Sequence, residues 1–162
     1  MVLEVLRAFP DDCLKQDQVL QSPFDVLLLC CLLRKSIQED LEKNQLYVYE
    51  EDGKIGAVFV FFIGKEPDYE TSVSGEWTSP KPYGVLHRIA VVTYGKGIAS
   101  KCIQWCYEQC HCMRGDTGQK NKSMQRLFEK NGFTQCAMIH PWYGEMLGYE
   151  KYERRESTNV NL

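Results

Sequence analysis

The chain has no hydrophobic run long enough to cross a membrane. Its longest apolar stretch, Val26 to Leu33 (VLLLCCLL), falls far short of the ~18 residues a span needs, and it reads as a buried helix. There is no basic excess either: the net charge is −3 and the sequence pI about 5.7. Such a chain lacks the positive face by which proteins hold nucleic acid, so neither nucleic acid nor membrane is expected as a partner. Glu4 and Arg7 interrupt the apolar residues at the start, which argues against a signal peptide. Internal repeats and low-complexity segments are absent, and nothing marks a second domain.

What remains is an ordinary globular composition, 44% hydrophobic and 25% charged over 162 residues. That length builds one core without staples. We expect a single domain over 1–154 and a polar tail over 155–162. Cysteine is plentiful: Cys13, Cys30, Cys31, Cys102, Cys106, Cys110, Cys112 and Cys136. The adjacent pair and the helical spacing of 102, 106 and 110 suit no secreted framework, so reduced thiols and a cytoplasmic setting are expected. The same spacing puts thiols on one helix face with His111 and Cys112 nearby, but that face is also the apolar stripe. Structural zinc favours Cys-x₂₋₄-Cys knuckles, so no metal is expected.

VLEVLRAF reads as a first strand ended by Pro10, Asp11 and Asp12, with a short helical stretch to follow. Ser22 as N-cap, Pro23 in the first turn and Asp25 start a helix that runs to about Lys43 and stops near Asn44. Two β-rich runs around Asp52-Gly53 predict a hairpin. Residues 64–82 carry Gly, Pro and Ser without period and read as a long loop. YGVLHRIAVV is a strand. From Ala99 the apolar positions 99, 102, 103, 106, 107 and 110 define an amphipathic helix. HCMRGDT suggests a short strand. A second helix turns Met124, Leu127 and Phe128 to one face and Lys122, Gln125, Arg126 and Glu129 elsewhere, and Asn131-Gly132 ends it. FTQCAMIH and MLGYEKYE are closing strands joined by PWYGE. The order is mixed α/β.

Gly95 and Gly97 follow a strand and open a helix. The first amides of a helix lack internal partners and carry the positive end of its dipole, so a glycine-rich approach is an anion site, above all for phosphate. Lys96 adds a charge. A plain tight turn is the other reading. A dinucleotide fingerprint would need a third glycine where Ser100 stands, and a P-loop would need Lys-Ser/Thr where Ile98-Ala99 stand.

LHRIAVVTYGKGIASKCIQW resembles the acetyl-CoA signature of the GNAT superfamily of N-acetyltransferases, with Tyr94-Gly95-Lys96-Gly97-Ile98-Ala99 at its Arg/Gln-x-x-Gly-x-Gly/Ala core. RGDTGQKNKSMQRLFEKNGF resembles the family's next strand and helix, and LRAFPDD and YEEDGKIGAV its opening. The resemblance implies a GNAT-like fold: a central mixed, mostly antiparallel sheet with one splayed parallel strand pair, flanked by helices. It implies acetyl-CoA as co-substrate. Backbone groups at Ile89 and Val91 would hold the pantetheine arm, the amides of Tyr94, Gly95, Lys96, Gly97, Ile98, Ala99 and Ser100 the pyrophosphate, and Asn121 would touch CoA. The implied reaction is direct attack of a primary amine, from a small molecule or a peptide, on the acetyl carbonyl. The chain departs from the pattern at Tyr94 and in a loop about two residues short between Val91 and Gly95. It also departs at Phe128, where many members place a tyrosine that protonates the leaving thiolate. A GNAT-like protein that binds acyl-CoA without catalysis is the alternative these departures support.

His87 shares a face with Ile89 and Val91 by alternation, and is either a base or a hydrogen-bonded structural histidine. Asp116 either receives the amine or caps the turn before the second helix. Glu66, Asp68, Glu70 and Glu76 in the long loop suit a cationic acceptor or are simply solvated. Tyr149 is a substitute acid or strand packing. Exposed strand edges near the C-terminal end allow a homodimer.

Overall fold

The computed structural model describes residues 2–5, 34–141 and 144–153. Residues 6–9 of the first strand, the helix start at Ser22 and Pro23, the VLLLCCLL run and the tail lie outside the described residues. So do Cys13, Cys30 and Cys31.

An eight-stranded sheet runs through the molecule. Its strands are β1 (Val2–Val5), β2 (Leu46–Glu51), β3 (Lys54–Ile63), β4 (Ser72–Gly75), β5 (Gly84–Val91), β6 (Cys112–Gly118), β7 (Thr134–Ile139) and β8 (Met146–Tyr152), and their order across the sheet is β1-β2-β3-β5-β6-β8-β7-β4. Among the described strands β5 and β6 are the one parallel pair. Among the described residues the helices are α1 (Arg34–Glu42), α2 (Ile98–Cys110) and α3 (Lys122–Lys130), with one 3₁₀ turn at Pro67–Tyr69.

Local chemistry sets most of these boundaries. The β2–β3 hairpin turns at Asp52 and Gly53, whose φ values of 52° and 71° are those of a type I′ turn. Asn44 (φ 54°) closes α1. At the end of α3, Gly132 (φ 82°) donates to Glu129 O and Phe133 N–H to Phe128 O, a Schellman close, and the Phe128 and Phe133 rings meet at 4.9 Å as that motif requires. The loop expected over 64–82 holds more order than its composition suggests. Ser72–Gly75 pairs with β7 as the outermost strand, with every residue exposed. Ser72, Val73, Ser74 and Gly75 are a short run whose one apolar side chain stays exposed, so only the partner strand defines them.

The stripe of α2 packs on one face of the sheet: Cys102, Ile103 and Cys106 are fully buried against Phe59, Phe61, Leu86, Met113 and Phe128. Each such side chain contributes about 1.5–3 kcal/mol. Burial pushes the Cys102 thiol up to about 12 and the Cys106 thiol upward as well, so these thiols pack as small hydrophobes. Gln125, expected on the outer side of α3, is buried instead; its amide donates to Gly118 O at 3.1 Å and Gln119 O at 2.9 Å, closing the turn from β6. Among the described residues no helix is long and apolar enough to cross a membrane.

On the opposite face a buried ion pair ties residues 77–82 to the sheet. Arg114 Nε donates to Glu150 Oε1 and Nη2 to Ser79 O, both at 2.9 Å. Glu150 Oε2 accepts from the Thr78 amide (2.8 Å), the Thr78 hydroxyl (2.6 Å) and the Ser79 amide (3.1 Å). The guanidinium is stacked between Tyr83 and Trp77, at 3.9 and 4.6 Å from the ring centres. Glu150→Ala strands a buried guanidinium and two backbone donors. The expected loss is about 3–5 kcal/mol in urea unfolding, with residues 77–82 becoming the first protease-sensitive segment.

Candidate active site

The parallel ladder is short. It pairs Gly84 with Met113, Val85 with Arg114 and Leu86 with Gly115, and ends there. Beyond that point β5 continues along β3 as far as Val91 and β6 along β8 as far as Gly118. The two strands therefore diverge, and a wedge opens between them. Val92 N–H turns toward β3 and donates to Gly56 O at 2.9 Å. By alternation, the N–H groups of Val91 and Ile89 face the wedge.

A bulge sharpens this geometry. Val58 pairs with Ala90 but Val60 with His87, so Arg88 and Ile89 together oppose Phe59, and Arg88 takes a left-handed φ of 51°. The bulge reverses the alternation. His87 does not share a face with Ile89 and Val91, as simple period-2 counting implies. Ile89 and Val91 pack with Leu86 on the helix side, whereas the His87 ring lies against Phe62 and Tyr69 on the other face. Arg88 pairs with Asp40 of α1, which ties the bulge to that helix.

Four polar side chains meet at the apex of the wedge. His87 follows the last paired residue of β5 and Asp116 the last of β6. His87 Nε2 lies 3.1 Å from Glu66 Oε2, and Nδ1 lies 3.8 Å from Asp116 Oδ1. Tyr69 donates its hydroxyl to Asp116 Oδ1 at 2.6 Å. Asp116 lies within β6, and the turn before α3 is capped by Asn121 instead. Its side chain is 5% exposed, and burial raises its pKa above the usual aspartate value, against the Tyr69 hydrogen bond and the His87 charge. The hydrogen bond from His87 holds Glu66 below its usual range. Of the loop acids, Glu66 enters the site. Glu70 pairs with Lys65 at the surface and Glu76 is exposed.

The glycine turn lies past the open end of β5. Gly95 (φ 82°) and Gly97 (φ 71°) both take the left-handed backbone that excludes most side chains, and a Cβ on either would meet nothing within 4 Å. Gly97 is the N-cap of α2 without a side-chain cap, so no side chain satisfies the first-turn amides of Ile98, Ala99 and Ser100. Ile98 sends its side chain into the core, Tyr94 is 71% exposed, and Lys96 is exposed. The Ser100 hydroxyl accepts from Asn131 at 3.0 Å. Asn121 uses its Oδ1 to cap α3 at the Met124 amide, 3.1 Å away.

Phe128 lies under the apex on the helix side, buried and stacked on Tyr149 at 5.0 Å. A Cβ on Gly115 would fall 2.6 Å from its ring, so the strand end and the ring exclude any side chain there. Tyr149 is 1% exposed, on the face opposite His87. Tyr69, Arg88 and the role of Glu66 were not legible from sequence. The single available signal was Glu66-Pro67-Asp68-Tyr69, an acidic 3₁₀ start.

No protein-family model and no curated protein sequence matches the chain. Solved structures do. A GNAT-family acetyltransferase from Streptococcus agalactiae 2603 superposes with a TM-score of 0.73 at 22% identity, over 94% of this chain and 96% of that one. One from Bacillus cereus ATCC 10987 gives 0.59 at 18%, over 95% and 100%. One from Elizabethkingia anophelis, solved with acetyl-CoA bound, gives 0.59 at 15%, over 85% and 95%.

The Asp116 shift fixes a pH dependence. A carboxyl with a raised folded-state pKa is easier to bury protonated, so its contribution to stability falls as pH rises from the unfolded value of about 3.9 through the folded one. Asp116→Asn keeps an acceptor for Tyr69 and removes that titration. Its urea midpoint should therefore lose less than the wild type between about pH 4 and pH 7.

Proposed function

The chain has the fold of the GNAT acetyltransferases, and on that footing we propose that it transfers the acetyl group of acetyl-CoA to a primary amine of a small molecule or peptide. One observation carries the reading. A parallel ladder ends at Leu86 and Gly115, and the strand beyond it leads to a turn whose two glycines leave open space at helix N-terminal amides that no side chain caps. A pyrophosphate suits those amides because they carry the positive end of the α2 dipole and lack backbone partners.

Acetyl-CoA supplies an activated acyl group on a thiol. The chain supplies the rest. Amides of Tyr94 to Ser100 hold the pyrophosphate, with Lys96 beside them. Ile89 and Val91 offer backbone groups to the pantetheine arm, and an N–H on this strand stabilises the oxyanion, a large term in acyl transfer. Asp116 and His87 receive the acceptor on the opposite face, Asp116 by charge and His87 as base. Phe128 donates no proton, but a thiol of pKa about 8.5 leaves acceptably as thiolate near neutrality. Tyr149, expected as a substitute acid or as strand packing, is sealed behind the Phe128 ring and packs the floor.

Phe128 also supports a second reading, acyl-CoA binding without turnover. Thiol release across a panel of amines separates the two, since a pure binder gives none.

Calorimetry with acetyl-CoA should give micromolar binding to the wild type and none to Gly97→Trp, whose indole would cover the amides. Gly53→Trp places the same side chain on an equally left-handed backbone at φ 71°, away from the site, and should bind as the wild type does. Equal binding by all three proteins would reject the site.

A further inference from the structure

Acetyl transfer as set out above leaves Glu66 without a task, yet its carboxylate is the partner of the His87 ring. Glu66 caps the 3₁₀ turn after β3. Its backbone N–H donates to the Tyr83 hydroxyl at 3.2 Å, and its Oε1 lies 3.5 Å from the Asp68 amide, so both backbone and side chain are held. Its Oε2 meets His87 Nε2 at 3.1 Å, in a setting where both side chains are about four-fifths covered. On the far side of the ring, Nδ1 and Asp116 Oδ1 stand 3.8 Å apart, beyond direct hydrogen-bond reach. Asp116 Oδ1 already accepts from Tyr69.

An ionised carboxylate only accepts. The hydrogen between Glu66 and the ring therefore belongs to Nε2. A neutral imidazole with Nε2–H carries its lone pair on Nδ1, which is the nitrogen that faces the wedge apex and Asp116. We propose that Glu66 is a positioning residue: by holding His87 as the Nε2–H tautomer it makes Nδ1 the proton acceptor for the incoming amine. A group seated beside the Nδ1 and Asp116 Oδ1 pair needs at least two N–H donors, one for each, and a primary ammonium has three.

The proton count closes. The ammonium N–H bond breaks, the proton goes to Nδ1, and the electron pair stays on nitrogen. That pair forms the C–N bond to the acetyl carbon, the C–S bond breaks with its pair on sulfur, and the thiolate takes the second proton from the new amide nitrogen. The imidazolium left behind stands between Glu66 and Asp116, with Tyr69 on Asp116. Asp68 and Arg88 act on these carboxylates from farther off.

The tautomer is independent of any reaction, while the role of Nδ1 rests on the acetyl-transfer reading. The full chain, labelled with ¹⁵N-histidine, is measured at about pH 8.5, where an ordinary imidazole is neutral. The His87 signal is identified with His111→Gln and His140→Gln. The wild type should show Nε2–H. Glu66→Ala should shift the ring toward Nδ1–H, facing Asp116, and lower kcat roughly 10²-fold with the KM for acetyl-CoA unchanged. Glu66→Gln, which keeps the shape and an accepting oxygen, should give a mixture of tautomers and an intermediate rate. An Nδ1–H ring in the wild type, or an unchanged tautomer in Glu66→Ala, overturns the proposal. A tautomer shift with unchanged kcat overturns the role of Nδ1. A tautomer shift in a protein that turns over no amine overturns the acetyl-transfer reading and the role of Nδ1 with it.

Discussion

The early end of one parallel ladder controls the rest of this molecule. Seven neighbour contacts hold the sheet together, and six of them are antiparallel and close through hairpins or adjacent edges. The seventh joins its two halves through three residue pairs only. Past Leu86 and Gly115 each strand stays bonded to its own half, so the halves separate without breaking either. The bulge at Arg88 gives β5 an extra residue at that point, and its link to Asp40 fixes the bend from the α1 side. A wedge with backbone groups along one wall follows from this alone.

The two faces of the sheet then divide the chemistry. On the helix side, Phe128 and Tyr149 fill the space below Gly115 and leave an apolar floor. On the other side, Glu66, His87, Asp116 and Tyr69 gather the titratable groups. The bulge makes this division. Without it Ile89 and Val91 would share the face of His87, and the apolar and polar groups would no longer be separated. The wedge thus has an apolar surface on one side and polar groups on the other.

The polar side is costly to bury, and the structure meets that cost with complete pairing. Glu150 alone receives one guanidinium, two amides and a hydroxyl. Among the described residues no buried side-chain nitrogen or oxygen lacks a partner. The consequence reaches the site: the same segment that Arg114 and Glu150 anchor places Trp77, whose indole N–H donates to Tyr69 O at 2.8 Å, and Tyr69 in turn holds Asp116. The long loop is in this sense part of the core.

The sequence by itself determined whatever depends on neighbours along the chain. The Asp52-Gly53 hairpin, the apolar stripe of α2, the Asn131-Gly132 stop and the strand–glycine–helix unit were all legible, because turn geometry and helical period are properties of a few consecutive residues. So were the mixed α/β class and the GNAT resemblance, which rest on motifs in order. Only the tertiary structure decided what depends on residues far apart. It decided where the parallel ladder ends, and that Ser72–Gly75 is a strand, since a four-residue run with no buried face gains strand geometry only from β7. It turned His87 to the opposite face through one unpaired residue that no local pattern announces. It also brought Glu66 and Tyr69 to Asp116, some fifty positions later in the chain, because a hydrogen bond across a fold leaves no periodic trace in the residues that make it.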